Sequence, residues 1–596
     1  MTIRTGNSYY LPSPMLRPAD AAVEARTKFI LVTGGVCSSL GKGVTTSSVG
    51  ALLRSEGFRV SSIKIDPYVN VDAGLMSPFE HGEVYVLQDG GEVDLDLGNY
   101  ERWLSVHLRR DHNITTGKVY NTLIQRERQG KYLGKTVQVV PHFTNEVVEH
   151  ILRVSQIPVD GSGLKPQVCM IELGGTVGDL ESAPFVEALR TLRFMIPPED
   201  FCLIHCTYLP VMGGGQKTKP SQHSCRTLLS SGLMADFLVC RSEHVLAPDC
   251  RKKLSQQCGI QEKDIIGAHN VPSMYQVPVE FHRQGMVDRV LHKLRLDRSA
   301  GMPALDASVT IPDVNTFAKF ANILQNPQNK VVRIGFVGKY VSGGSDAYFS
   351  VLQTFEHCCI ALEVRLDIVY VDSEMLEGKD APEATALLLK CDGIFVAGGF
   401  GVRGIDGKVA AAKLARENDI PYFGVCLGMQ VALIELARNL LGHADANSAE
   451  FNPTTTNPVV RIMDCDKTQM GANMHLGLRE VHLIEKDSIM TKIYGGADHV
   501  LERHRHRYEF NMEYFQRLKD VGVRFSGVSD ASLGPLNRVE AIEIPKNRFF
   551  LAVQYHPEFI TTPVDPSPPF LAFVAAAARK EFAWPTTINS RGAPAS

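Results

Sequence analysis

A five-residue apolar run, Phe29 to Thr33, opens into Gly34-Gly35-Val36-Cys37-Ser38-Ser39-Leu40-Gly41-Lys42-Gly43, and a helical pattern runs from Val44 to Ser55. Strand, glycine-rich loop, then helix leaves few architectures open, because the helix must fold back over a sheet whose strands run parallel. Backbone N–H groups of such a loop, with the helix N-terminus behind them, can cradle phosphate oxygens. Lys42 adds a charge that reaches the β and γ groups. The loop departs from G-x-x-x-x-G-K-[ST]: five residues separate Gly35 from Gly41, and Gly43 replaces Ser or Thr. A plain glycine turn with a solvated lysine is the alternative, and the flanking strand and helix argue against it.

The same alternation continues. Phe58 to Ile65, Val168 to Leu173, Phe201 to Thr207 and Asp236 to Cys240 read as strands. Leu294 to Asn315 loses the periodicity, and a domain boundary is expected in or shortly after it. A second series starts at Val331 to Val337 and runs through Leu366 to Val371, Gly393 to Ala397 and Tyr422 to Val425. Tyr422 to Val425 feeds a helix from Leu427 to Arg438, and Phe549 to Gln554 is a late strand. The expected fold class is α/β with two parallel-sheet domains, the first P-loop-like and the second flavodoxin-like. The expected divisions are an N-terminal extension over 1–27, a first domain over 28–300, a linker over 301–330, a second domain over 331–585 and a tail over 586–596.

Composition removes other classes. With 596 residues the chain has room for two to four domains. Lys and Arg total 62 against 65 Asp and Glu, so no general field holds nucleic acid. No apolar run approaches the ~18 residues of a membrane span. The thirteen cysteines include no C-x-x-C pair, which supports neither a zinc site nor a disulfide framework. The first 27 residues lack a secretory apolar core and read as a flexible extension, so a cytoplasmic location is expected.

Three sets of residues carry chemistry. Asp66, Asp94, Asp96 and Glu172 end or follow apolar runs, where carboxylate oxygens suit Mg²⁺. Lys217 to His223 places two lysines and several polar side chains after a glycine run, suited to a second polyphosphate. The third set is Gly424-Val425-Cys426-Leu427-Gly428, which has the form of a nucleophile elbow. Its base and orienting acid are His556 and Glu558, expected on one side of an extended segment. Backbone N–H groups of Gly399 and Leu427 could form an oxyanion site.

On these residues the second half resembles a class I, triad-type glutamine amidotransferase domain. From about Lys28 to about Phe582 the chain is similar to the CTP synthase family. The resemblance rests on TGGVCSSLGKG at 33–43, KIDPY at 64–68, MSPFEHGEV at 76–84, DLDLG at 94–98 and TVQVVPH at 136–142. Further matches are ELGGTVGDLES at 172–182, KTKPSQHS at 217–224 and ERHRHRYE at 502–509. It implies an amidoligase domain followed by a glutaminase that uses Cys426, His556 and Glu558.

By that resemblance ATP would lie on Ser39, Leu40, Gly41, Lys42, Gly43, Val44 and Asp96, with Mg²⁺ on Asp96 and Glu172. UTP, or CTP as feedback inhibitor, would meet Ser38, Asp179, Leu180, Glu181, Lys217, Thr218, Lys219, Pro220, Ser221, Gln222 and Lys253. L-glutamine would meet Gly399, Leu427, Gly428, Met429, Gln430, Glu450 and His475. Ammonia would pass His81 and Val84 to a UTP phosphorylated on O4. GTP would act as allosteric activator, with 338–348 as a mobile lid, and the chain would form homotetramers and filaments. No nucleic acid or membrane partner is implied.

Two positions differ from the family pattern. His475 stands where M-R-L-G has arginine, a weaker and pH-dependent substitute. His269-Asn270 replaces a common Lys-Asp on the adenine side. Arg503 to Arg507, read alone, is a basic surface patch; the resemblance moves it beside the glutaminase site. The competing readings are another glutamine-dependent amidoligase and a filament-forming structural protein that has lost turnover.

Overall fold

The computed structural model describes residues 26–297, 310–341, 345–463, 474–529 and 538–580. Most of the N-terminal extension, the tail and the first part of the expected linker lie outside them. The first sheet holds β1 (Lys28–Gly34), β2 (Val60–Asp66), β3 (Asn113–Thr115), β4 (Val168–Leu173), β5 (Phe201–Tyr208), β6 (Phe237–Ser242) and β7 (Ile265–His269). Their order is β7-β6-β5-β1-β4-β2-β3, with parallel pairing throughout. Helices cover both faces, so β2 and β4 are buried along their whole length. An apolar core fills each side. Lys64, Asp66 and Glu172 sit at the carboxyl ends of these central strands, the usual place for a ligand in an open α/β sheet.

Helix α1 (Lys42–Ser55) starts after Gly41, whose φ of 81° turns the phosphate loop into the helix. Helix α2 (Leu95–Leu104) opens with the Asp94 side chain accepting from the Asp96 N–H at 3.0 Å. Helix α3 (Lys219–Ser230) follows the lysine-rich loop. The expected linker contains a helix, α4 (Val314–Gln325), that is docked rather than loose. Its Phe317 stacks on Trp103 at 5.6 Å between ring centres, and its Phe320 meets Tyr275 edge-on.

The second sheet contains β8 (Val331–Gly338), β9 (Arg365–Asp372), β10 (Gly393–Val396), β11 (Tyr422–Val425), β12 (His475–Leu483), β13 (His499–His506), β14 (Arg524–Ser529), β15 (Val539–Glu543) and β16 (Phe550–Val553). Its order is β9-β8-β10-β11-β16-β15-β14-β12-β13. The strands from β9 to β16 pair in parallel, as expected. From β16 outward the pairing is antiparallel, so the sheet is mixed. Helices α5 (Phe349–Leu362), α6 (Leu427–Asn439) and α7 (Pro568–Ala578) pack on it.

Strand β13 faces both domains. Its Arg503 guanidinium enters the first domain and donates to Glu101 Oε2 at 2.7 Å, the Val86 carbonyl at 2.9 Å and Tyr85 Oη at 3.0 Å. Arg505 donates to Glu92 at 2.9 Å. The alternate residues, Glu502, His504 and His506, point back into the second domain and are buried. The surface-patch reading of 503–507 is therefore corrected: Arg503 is 1% exposed because its charge is matched by Glu101.

Candidate active sites

Lys42 lies at the mouth of the phosphate loop and donates to the Gly175 carbonyl at 2.7 Å. Its neighbour Gly43 explains the deviant motif, since a Cβ there would sit 2.3 Å from Asp96 Oδ1. A serine or threonine would displace that carboxylate. Ser38 and Ser39 are exposed, whereas Leu40 and Gly43 are buried.

Four carboxylates converge behind the loop on one ammonium. Lys64 Nζ is paired with Asp96, lies 3.1 Å from Glu172 Oε1, and is 3.9 Å from both Asp66 and Asp94. Burial alone would discharge this lysine, and the carboxylates, Asp96 first, hold it charged. Burial and neighbouring carboxylates push Asp66 up to about 6 and Asp94 up to about 8, against the pull of Lys64. Thr46 Oγ1 donates to Glu172 Oε2 at 3.1 Å, and Tyr100 Oη donates to the same oxygen at 2.5 Å. An all-oxygen donor set of net negative charge around a lone cation fits Mg²⁺. Sequence reasoning missed Lys64, because its position inside an apolar run marks it as core.

The second polyphosphate set is more open. Asp179, Leu180, Glu181, Lys217, Lys219 and Lys253 are exposed, while Thr218, Ser221 and Gln222 are buried. Ser221 donates to the Tyr208 carbonyl at 2.9 Å, and Gln222 to Thr218 Oγ1 at 2.9 Å, so their first duty is to hold the loop against β5 and α3. Pro220 lies in the first turn of α3.

In the second domain β11 turns sharply into α6 at Cys426, whose φ of 54° and ψ of −104° are strained for a side chain with a Cβ. The turn closes because a Cβ on Gly428 would lie 2.2 Å from the Val396 carbonyl oxygen. His556 Nδ1 lies 2.7 Å from Glu558 Oε1. The pair forms across a 3-10 turn, Pro557–Phe559, and not along an extended segment as the sequence suggested. Pro557 starts that turn and folds the carboxylate back onto the ring. Burial pulls the imidazole down, and Glu558 and then Cys426 overcome it, lifting His556 to about 10.

The loop carrying Gly399 passes over this pair: a Cβ on Gly398 would be 3.1 Å from His556 Cε1 and 3.6 Å from Cys426 Cβ. Lys408 donates to the Ala397 carbonyl at 2.5 Å and fixes the loop from below. Glu450 accepts from the Gly401 N–H at 3.1 Å. Gln430 and Met429 are buried in α6, and Gln430 reaches Gln554 Oε1 at 3.2 Å. Gln554 in turn donates to Cys426 Sγ at 3.6 Å. Lys408 and Gln554 carry no sequence signal, since each sits in an ordinary helix or strand pattern. His475 turns onto His504 and His506, with ring centres 4.8 and 5.3 Å away. Burial, then Arg538 and Arg479, pull it down to about 4, so it cannot replace an arginine's charge near neutrality.

His81 is exposed on the short turn that precedes Val84. Val84 is buried, and the intervening Glu83 N–H donates to the Asp346 carbonyl of the second domain at 2.9 Å. Positions 342–344 of the expected lid lie outside the described residues.

Residues 28–296 match the family described as CTP synthase N-terminus, and residues 345–576 match glutamine amidotransferase class-I. CTP synthase 1 of Homo sapiens is 46% identical over 559 residues, covering 92% of each chain. CTP synthase of Dictyostelium discoideum is 46% identical over 570 residues, 92% of this chain and 98% of its own. A solved structure of the Trypanosoma brucei CTPS glutaminase domain with bound acivicin is 63% identical, covering 43% of this chain and 97% of that one, with a TM-score of 0.42. Both halves of the chain and nearly the full length of its relatives agree, and the chain belongs to the CTP synthase family.

Proposed function

We propose that the two centres work in series, as a glutamine-hydrolysing, ATP-dependent ligase that converts UTP to CTP. The reading rests chiefly on β13, which packs against both centres: the Arg505 carbonyl lies 3.8 Å from Cys426 Sγ while the Arg503 side chain is bound inside the ligase domain. In the glutaminase, Cys426 attacks the glutamine side-chain amide and His556 moves the proton to the departing ammonia. Glu558 holds the ring's tautomer. Gly399 and Leu427 N–H groups face the developing oxyanion, and Gly428, Met429, Gln430, Glu450 and the backbone of His475 surround the amino acid. Water then releases glutamate and frees the thiol.

In the ligase, Lys42 and the Ser39–Val44 loop bind ATP. Its γ-phosphoryl group passes to O4 of the uracil ring, turning a poor leaving group into phosphate. Ammonia moving past His81 and Val84 attacks C4, and phosphate leaves. Asp96 and Glu172 would hold Mg²⁺, which when bound screens the transferred charge. UTP, or CTP as inhibitor, would be gathered by Ser38, Asp179–Glu181, Lys217–Gln222 and Lys253. GTP is the proposed activator. Assembly into homotetramers and filaments belongs to the same proposal. A cytoplasmic location is proposed with them. An intact triad and the full-length family match leave the other amidoligase and the inactive structural protein unfavoured.

The test is Cys426→Ala, assayed for CTP with glutamine and separately with ammonium. Glutamine-dependent synthesis should fall by ~10³-fold or more while ammonium-dependent synthesis stays within a few-fold. Equal loss of both in folded protein overturns the two-centre scheme.

A further inference from the structure

We propose that His475, His504 and His506 form a binding site for a divalent transition-metal ion of the zinc class, separate from the Mg²⁺ site. Antiparallel register builds it: His475 pairs with His506 and Gly477 with His504 across β12 and β13. Residues 504 and 506 share one face of their strand, so all three rings gather on one side of the ribbon. One ligand nitrogen from each lies within 4.8 Å of the others.

The spacing suits the ion. His504 Nδ1 and His506 Nε2 are 3.1 Å apart. Tetrahedral zinc with bonds of ~2.0–2.1 Å places its nitrogen ligands roughly 3.3 Å apart. His506 Nδ1 lies 3.0 Å from the Tyr508 carbonyl. A ring N–H given to that oxygen leaves the Nε2 lone pair facing the cluster, the usual arrangement behind a metal ligand. His475 needs only a small ring movement to complete the set.

The surroundings are unsatisfied without a cation. His475 Nε2 and both Glu540 oxygens are buried with no hydrogen-bond partner among the described residues. Such atoms are costly to leave unpaired. Glu540 Oε2 lies 3.7 Å from His504 Nδ1 and places an oxygen donor next to the site. Arg538, Arg479 and His556 oppose a cation, but Arg538 is paired with Glu509 at 2.8 Å and His556 with Glu558 at 2.7 Å. Imidazole-only ligands select zinc, cobalt, nickel or copper over magnesium.

An ion there would tie β12 to β13 beside the Arg505 carbonyl that faces Cys426. The test uses the full-length protein stripped of metal and titrated with Co²⁺, then Zn²⁺, measuring bound metal by elemental analysis and visible absorption. The expected result is one ion per chain, with a four-coordinate cobalt spectrum that zinc abolishes. His475→Ala and His475→Asn should each weaken binding by ~10-fold or more. His475 is only partly buried, and circular dichroism checks that both variants are folded. Cys426→Ala should still bind the ion. No uptake, uptake unchanged in both folded His475 variants, or uptake lost in Cys426→Ala would each overturn the proposal, the last by placing the ion on the catalytic thiol.

Discussion

The ligase centre and the glutaminase centre are preorganised to different degrees. Cys426, His556, Glu558 and the Gly398–Gly399 loop are packed against one another at a strained elbow. The ligase centre instead holds Lys64 among four carboxylates, with most of its proposed UTP side chains exposed. A compact neutral amide can be received by a rigid buried pocket. Two nucleoside triphosphates bring so much charge that a rigid anionic or cationic trap would be costly to keep empty. Lys64 resolves that cost by standing where positive charge is wanted.

The largest effect is expected where rigidity is greatest. Gly428→Ala places a methyl group against the Val396 carbonyl and should open the elbow, lowering glutamine-dependent synthesis by ~10³-fold while ammonium supports the reaction. If both nitrogen sources fail in folded protein, the two centres are not separately organised. Lys64→Met should then cut synthesis from either source by ~10²-fold, because the carboxylates lose the cation that orders them. A defect confined to glutamine would reverse the comparison.

Arg503→Met tests the joint between the centres. It strands Glu101 beside Tyr85, costing about 3–5 kcal/mol of stability in denaturant melts. It should also raise the glutamine consumed per CTP formed, as ammonia escapes a loosened interface. The last effect is in the pH dependence of stability. His556 has a folded value raised to about 10, so its charge stabilises the fold fully below its unfolded value near 6.5. That contribution is lost as pH rises through 10. Glu558→Gln removes the main partner of the imidazolium, and urea melts at pH 6 and pH 10 should differ less in the variant than in the parent.

Much of this was readable in the chain because local rules and tertiary packing agree. The phosphate loop and the elbow lie at strand-to-helix turns where glycine spacing reports backbone geometry directly. Lys64 was not readable, since a buried charge in a strand is recognised only by its neighbours, and those come from β4 and α2. The antiparallel half of the second sheet escaped for a related reason. Arg503-His504-Arg505-His506 alternates two polar faces, each turned to a different domain. Periodicity marks a strand there, but polarity suggests solvent. Helix α4 was obscured by the Pro- and Asp-rich segment before it.

The aromatic stack of Trp103, Tyr275 and Phe317 fixes where the chain can be divided. The change in composition near 294–315 suggests a cut before α4, yet that cut would strip Phe317 and Phe320 from the ligase core and leave Trp103 bare. Helix α4 also rests on α5 and β9 of the second domain, with Leu324 against that domain's core, so it closes the joint between the two halves. A ligase half ending at Gln325 keeps its aromatic layer, whereas a glutaminase half beginning at Lys330 starts on β8 and loses the cover that α4 gives to α5 and β9.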